Sequence, residues 1–134
     1  MLLEARHRGV RVQVIIPAIN DSRFGRSASR SRWGPLLEAG VEFHQYLPAM
    51  LHCKVMLVDD AFVTVGSVNF DNRSFAINDE MNVNILDQAS AREYARIFED
   101  DLSHSRALTL AEFESRPWWL KFTDSFCGLF RSQL

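Results

Sequence analysis

Residues 52–69 read His52-Cys53-Lys54-Val55-Met56-Leu57-Val58-Asp59-Asp60-Ala61-Phe62-Val63-Thr64-Val65-Gly66-Ser67-Val68-Asn69. Two apolar, β-branched runs on either side of Asp59-Asp60 predict a pair of strands joined by a tight turn. Because side chains two positions apart on a strand share a face, His52 and Lys54 are expected to lie side by side. Cys53 and Val55 are then expected to point into a core.

The spacing of polar residues in this stretch predicts phosphate chemistry. It fits H-x-K, four residues, D, six residues, G-S-x-N, a pattern that arises by chance on the order of once in 10⁷ starts. Lysine supplies a compact positive charge for phosphate oxygens, and glycine lets the backbone approach so that Ser67 and Asn69 can add hydrogen bonds. Histidine suits nucleophile and acid roles, since its ordinary pKa is about 6.5. Each residue alone would be unremarkable, but their joint spacing indicates a site that makes or breaks phosphodiester bonds.

This pattern resembles the signature of the phospholipase D superfamily, and the chain resembles members of that family over nearly its whole length. The resemblance implies active sites built from two such motifs, in which one histidine forms a phosphohistidine and the other protonates the leaving alcohol. It implies no metal and no cofactor. The residues it assigns are catalytic His52, Lys54, Asp59 and Glu80, with Lys54, Ser67 and Asn69 binding phosphate.

Two of these assignments have specific alternatives. Asp59 belongs to the motif, but the resemblance implies that it holds the hairpin more than it catalyses. Glu80 stands where the family carries a carboxylate that hydrogen-bonds the catalytic imidazole, which would fix the tautomer of His52. The alternative for Glu80 is an ordinary exposed strand residue, in a segment 80–86 that alternates polar with apolar side chains.

Stretches outside the motif resemble the C-terminal half of bacterial cardiolipin synthases, among them 9–17, 37–43, 48–52, 69–74 and 78–80. That resemblance implies phosphatidyl transfer in phospholipid synthesis, with a phospholipid as substrate. The chain has one motif, so its partner would be a missing N-terminal half or a second copy carrying the other motif. The implied location is the cytoplasmic face of the bacterial inner membrane, in peripheral contact with anionic lipid.

Two other functions remain open from sequence. The chain could be a single-motif phosphodiesterase or nuclease that is active as a symmetric dimer, or an inactive fragment. Charge argues against nucleic acid as a partner, because 15 Lys and Arg are balanced by 17 Asp and Glu. A group of four arginines, at 23, 26, 30 and 32, is the exception; such a group is more often a solvated loop, though it could also meet anionic head groups.

The fold class that the pattern predicts is α/β, with a mixed, largely parallel sheet flanked by helices. The order helix, strand, helix, strand up to Leu47 favours parallel strands. A length of 134 residues suits one domain, 1–134, and the resemblance implies that this phospholipase D-like domain is the C-terminal half of a two-motif enzyme. Residues 20–31, rich in Ser, Arg and Gly, are expected to form a mobile loop. Helices are expected after Asp87 and around 108–113. The first residues read as the last turns of a helix without a preceding cap, as if the chain began inside a larger domain.

The C-terminal tail, 117–134, is aromatic. Trp118, Trp119, Phe122, Phe126 and Phe130 recur at spacings of three and four residues, which places them along one side of a helix. Such a stripe prefers a membrane interface, but packing on the domain core or on the missing half is the favoured alternative. The cysteines, Cys53 and Cys127, show no disulfide or metal spacing and are expected to be reduced.

Overall fold

A first sheet and its helices organise the N-terminal part of the molecule. The computed structural model describes residues 1–19, 23–68 and 79–129. The elements up to the second strand are α1 (Leu2–His7), β1 (Gln13–Pro17), α2 (Arg23–Arg30), α3 (Trp33–Glu38) and β2 (Glu42–Tyr46). β1 and β2 run parallel, with Gln13 opposite Glu42. The chain leaves α1 through Gly9, whose φ of 87° lies in the left-handed region that glycine adopts without strain.

A second sheet carries the motif. The strands of this sheet are β3 (Lys54–Val58), β4 (Phe62–Gly66) and β5 (Asn82–Leu86). They are followed along the chain by α4 (Gln88–Ser103), β6 (Ser105–Leu108), α5 (Leu110–Glu114) and α6 (Trp118–Leu129). β3, β4 and β5 form an antiparallel sheet in that order. β6 returns to the first sheet and pairs antiparallel with β2.

The largest buried cluster lies against the first sheet. It consists of Trp33, Leu37, Val41, Phe43 and Phe113. The ring of Trp33 stacks on Phe43 with centroids 5.3 Å apart and meets Phe113 at 6.4 Å, so α3, β2 and α5 are joined by aromatic contacts.

The motif-bearing sheet is supported by α4. Ala91 of this helix and Val63 of the central strand β4 are fully buried, and the helix packs against β3, β4 and β5. Its first turn is capped by Asp87, whose Oδ2 accepts a hydrogen bond from the Ser90 N–H at 2.7 Å. This packing fixes the sheet from which the motif residues project.

The sequence predictions hold at the level of class, and two details need correction. The α/β class with flanking helices is confirmed, and so are the hairpin and the helix after Asp87. A largely parallel sheet is wrong for the described residues, since their strands form two sheets in which only β1 and β2 run parallel. The three-residue turn between β3 and β4 enforces an antiparallel pair, because a parallel pair needs a long crossover.

The loop expected at 20–31 is also corrected, because its described part forms helix α2 from Arg23 to Arg30. The glycine and serines in this helix are weak helix formers, so tertiary packing against α6 stabilises it. Strand β6 was not anticipated. Its four residues, Ser105 to Leu108, are too short to show an alternating pattern.

Candidate active site

His52 and Lys54 lie together at the start of β3. The Lys54 Nζ is 2.9 Å from His52 Nδ1 and 3.1 Å from His52 Nε2, and it donates to the His52 carbonyl oxygen at 2.8 Å. The ammonium can only donate and a neutral imidazole has a single acceptor nitrogen, so only one of the two ring nitrogens accepts a hydrogen bond from Lys54. The juxtaposition predicted from the H-x-K spacing is therefore present. The imidazole is exposed and Lys54 is half-buried.

Asp59 lies at the other end of the same strand. It occupies the turn between β3 and β4 with a φ of 49°, a left-handed conformation that Asp tolerates better than most residues. Five residues of strand separate it from Lys54, or roughly 16 Å. The structure does not bring Asp59 to His52, and its position agrees with a role in holding the hairpin.

Gly66 stands opposite Lys54 on the central strand, and Asn82 stands opposite Gly66 on β5. Residues directly across a ladder share a face, so Lys54 and Asn82 flank a position that has no side chain. A Cβ at Gly66 would overlap the Met81 carbonyl oxygen and Asn82 Oδ1, and it would lie 2.7 Å from Asn82 Cα. Glycine is therefore required by the close approach of β5.

Ser67 ties the end of β4 to the residue that follows Glu80. Its N–H donates to the Met81 carbonyl at 3.0 Å, and its hydroxyl accepts from the Met81 N–H at 3.1 Å. The backbone next to Glu80 is thus held from both its donor and its acceptor. Glu80 itself is half-buried. The predicted role of Ser67 in phosphate binding stays a prediction, and its described partner is the Met81 backbone.

Asn82 is a supporting residue that sequence reasoning did not single out. Its Oδ1 accepts from the Val68 N–H and its Nδ2 donates to Thr64 Oγ1, both at 3.3 Å. Thr64 is a buried polar residue in the middle of β4, and this hydrogen bond satisfies its oxygen. The signal that could have revealed Asn82 was the polar face of the segment 80–86. Of the polar residues on that face, only Glu80 was assigned a function from the sequence.

Cys53 is exposed rather than buried in a core, so that expectation was wrong. It directly precedes β3, outside the alternation of the paired strands. Partial desolvation, followed by the nearby Asp101 carboxylate, raises the pKa of its thiol. A thiol with a raised pKa stays protonated at neutral pH, so Cys53 does not neutralise the charge of Lys54.

Three further points concern Asn69, metal ligands and membrane-spanning helices. Asn69 lies outside the described residues, so its phosphate-binding role stays a prediction. Within the described part of the chain, no three His, Cys, Asp or Glu side chains come together in a way that would hold a metal ion. In the same part, no helix combines the length and apolarity needed to span a bilayer.

The geometry brings the His52 ring, the Lys54 ammonium and the close approach of β5 at Gly66 to one end of a sheet. An imidazole nitrogen can attack phosphorus or deliver a proton. The Lys54 ammonium, within 3 Å of that ring, can balance the charge on the non-bridging oxygens of a bound phosphate. This end of the sheet is the candidate active site.

Comparison with known proteins identifies the family of the chain. The family model described as "Cardiolipin synthase, PLD-like domain" matches residues 1–102, and the chain belongs to this family. The matched range includes every described residue of the candidate site.

Among individual relatives, the chain is 40% identical over 117 residues to cardiolipin synthase A of Serratia proteamaculans, covering 87% of this chain and 24% of that protein. It is 36% identical over 117 residues to minor cardiolipin synthase ClsB of Bacillus subtilis, covering 87% and 29%. The chain therefore spans about a quarter of the length of these relatives. Its structure is similar to the phospholipase D family member Nuc from Salmonella typhimurium, with a TM-score of 0.70 and 25% identity, covering 80% of this chain and 70% of that one.

Proposed function

We propose that this chain supplies one half of the active site of a phospholipase D-type phosphatidyltransferase that makes cardiolipin-like phospholipids. The observation that carries the proposal is the contact of Lys54 Nζ with the His52 ring at 2.9 Å, on a chain that belongs to the cardiolipin synthase family. Similarity to cardiolipin synthases of two species supports the lipid substrate class.

In the proposed reaction one histidine nitrogen attacks the phosphorus of a phosphatidyl donor. The bond from phosphorus to the head-group oxygen breaks, and the second histidine of the complete site gives its proton to that oxygen. The acceptor alcohol then loses its proton to the same histidine and attacks phosphorus, which breaks the bond from phosphorus to nitrogen. His52 takes one of these two roles, and the histidine of the other motif takes the remaining one.

Lys54 in this mechanism serves the phosphate rather than the proton transfers. In the described structure its ammonium is satisfied by the His52 ring and carbonyl. A bound phosphodiester offers oxygens with a full negative charge, which are stronger acceptors than a neutral ring nitrogen or a carbonyl. Lysine therefore turns to the phosphate when substrate binds, and it releases the His52 ring nitrogen for chemistry.

Glu80 and Ser67 position the imidazole in this proposal. A carboxylate hydrogen-bonded to one ring nitrogen leaves the lone pair of the other nitrogen available and stabilises the imidazolium. Ser67 fixes the backbone of Met81, directly after Glu80. Asn69 is proposed to add a hydrogen bond to the phosphate.

The site is completed by a second motif, because one histidine cannot be both nucleophile and acid in the same step. The second motif comes from an N-terminal half or from another copy of this chain, which would meet it across a two-fold axis. The complete enzyme is proposed to work at the cytoplasmic face of the bacterial inner membrane, where its lipid substrates lie.

The proposal is tested with vesicles of phosphatidylglycerol carrying a labelled glycerol head group, and with the molecular mass of the protein measured in parallel. The expected result is release of labelled glycerol together with a product that contains two phosphatidyl groups. Hydrolysis alone, or cleavage of a nucleic acid in preference to lipid, would replace phosphatidyl transfer with a phosphodiesterase function. Activity from a demonstrated monomer without any second motif would contradict the two-motif site.

A further inference from the structure

Helix α6 presents a row of large aromatic side chains to solvent. Trp118 is 78% exposed, Phe122 65%, Trp119 52% and Phe126 51%. On a helix of 3.6 residues per turn these four positions lie within about 100° of one another. The rings of Phe122 and Phe126 stack with their centroids 6.5 Å apart. We call these four residues the aromatic stripe.

The opposite side of α6 is fixed to the rest of the protein. Asp124 is only 3% exposed and forms ion pairs with Arg116 Nη1 at 2.6 Å and with Arg30 Nη2 at 3.1 Å. Gly128 comes so close to Ser31 that a Cβ there would lie 2.8 Å from Ser31 Oγ. Rotating the helix to bury the stripe would break the contact of Gly128 with Ser31 and separate Asp124 from its two arginines. These contacts therefore keep the stripe facing outward.

The exposed charge on α6 is positive. Within this helix the ionisable Asp, Glu, Lys and Arg residues are Lys121 and Asp124. Asp124 is buried against two arginines, whereas Lys121 is exposed at the border between the stripe and the packed side, where it lines a cavity together with Glu38 and Glu114. The described helix therefore meets an approaching anionic surface without an exposed carboxylate of its own.

We propose that the aromatic stripe docks on the interfacial region of an anionic phospholipid bilayer, with Lys121 against the head groups. Tryptophan favours this region because its ring is apolar and its N–H stays hydrated. A partner protein is a poorer occupant. At about 200 Å² for a fully exposed aromatic side chain, the stripe offers roughly 500 Å², and the other exposed side chains along α6 that would have to extend it to the roughly 800 Å² of a standard interface are polar: Lys121, Thr123 and Ser125.

This inference rests on the proposed function, because an active site that modifies phospholipids needs contact with a bilayer. The aromatic stripe is the surface inferred to make that contact. Helix α2 links α6 to the first sheet: Arg30 binds Asp124 of α6, and Arg26 donates to the Ala18 carbonyl just beyond β1. Docking through α6 would hold the first sheet at the membrane surface.

The affinity test uses the full chain and vesicles of phosphatidylcholine with and without phosphatidylglycerol, separated by sedimentation. Replacing the two tryptophans, Trp118→Ala with Trp119→Ala, should weaken binding to the anionic vesicles about tenfold or more; the urea midpoint should fall modestly because Trp119 is half-buried, and it shows that the variant is folded. Leu86→Ala is the matched control, since Leu86 is equally exposed but lies on the second sheet. Lys121→Glu should weaken binding to anionic vesicles only.

The position test uses brominated phosphatidylcholine mixed with phosphatidylglycerol. The chain has three tryptophans, and Trp33 is buried in the core. Tryptophan fluorescence should be quenched by bromine in the wild-type chain. It should not be quenched in the double variant Trp118→Phe, Trp119→Phe, which still binds but reports from Trp33 alone.

The proposal is overturned if the wild-type chain does not bind vesicles, if the double alanine variant binds as well as Leu86→Ala, or if bromine does not quench. It is equally overturned if the alanine variant dissociates a dimer without changing lipid binding. A His52→Ala chain should dock normally. Docking without phosphatidyl transfer would defeat the proposed function alone, and transfer without docking through α6 would defeat this inference alone.

Discussion

The hydroxyl of Ser67 accepts a hydrogen bond from the Met81 N–H at 3.1 Å, and through it the motif strand holds the backbone next to Glu80. The glycine-serine pair of the motif therefore has a structural consequence two strands away from His52. Gly66 permits the close approach of β5, and Ser67 fixes the register at which β5 begins.

Ser67→Ala removes this hydrogen bond and is expected to slow phosphatidyl transfer about tenfold or more. Stability should fall by about 1 kcal/mol, the usual net worth of one such bond. Ser67→Thr keeps a hydroxyl and is the control that should restore most of the rate. Equal rates for all three proteins would show that the Ser67 contact does not serve the site.

Gly66→Ala is expected to destabilise the fold by about 1–3 kcal/mol or more, because the new methyl overlaps backbone and side-chain atoms of β5. Gly34 provides a control within the same chain. An alanine Cβ there would meet Phe113 Cε1 at an ordinary 3.6 Å, and the helix preference of alanine is opposed by crowding against the ring of Pro35, so stability should stay close to that of the wild type. Urea denaturation should therefore place Gly34→Ala near the wild type and Gly66→Ala below both, and a tolerated Gly66→Ala would contradict the tight approach of β5.

Asp124→Asn tests the ion cluster that holds α6. Arg30 and Arg116 are both largely buried, so loss of the carboxylate leaves two guanidinium groups poorly compensated. The expected loss of stability is about 3–5 kcal/mol. Glu93→Gln breaks an equally short pair, 2.7 Å to Arg96, on the exposed face of α4, and should leave the denaturation midpoint nearly unchanged. Similar losses of stability for the two substitutions would show that burial does not determine how much the Asp124 ion pairs stabilise the fold.

The cap of α4 should make stability depend on pH. The Ser90 backbone N–H, and then its hydroxyl, lower the pKa of Asp87 from its ordinary 3.8. A lowered folded-state pKa means that the carboxylate contributes fully above the ordinary value and loses its contribution as the pH falls through the lowered one. Asp87→Ala should therefore be less stable than wild type at neutral pH, and the difference should shrink as the pH falls below 3.8. A difference that does not change with pH would assign the effect to something other than the charged cap.

Local spacing was enough to predict the hairpin, the His52–Lys54 contact and helix α4, since each depends on residues close in sequence. Helix α2 escaped prediction because buried contacts with α6, nearly a hundred residues later, outweigh its weak propensity. The exposure of Cys53 and the exposure of the aromatic stripe depend on which surfaces pack together, and a one-dimensional pattern does not contain that information. Asn82 was overlooked for a related reason: its partners, Thr64 and Val68, are neighbours only across the sheet.

The most direct test of the account measures phosphatidyl transfer by His52→Ala in the enzyme with its second motif present. His7→Ala serves as the control, because His7 is an exposed histidine at the end of α1, away from the motif. The account predicts that His52→Ala lowers turnover by at least about 10²-fold with an unchanged urea midpoint, while His7→Ala keeps the wild-type rate. Near-wild-type turnover in the His52→Ala enzyme would remove His52 from the mechanism and contradict the proposed site.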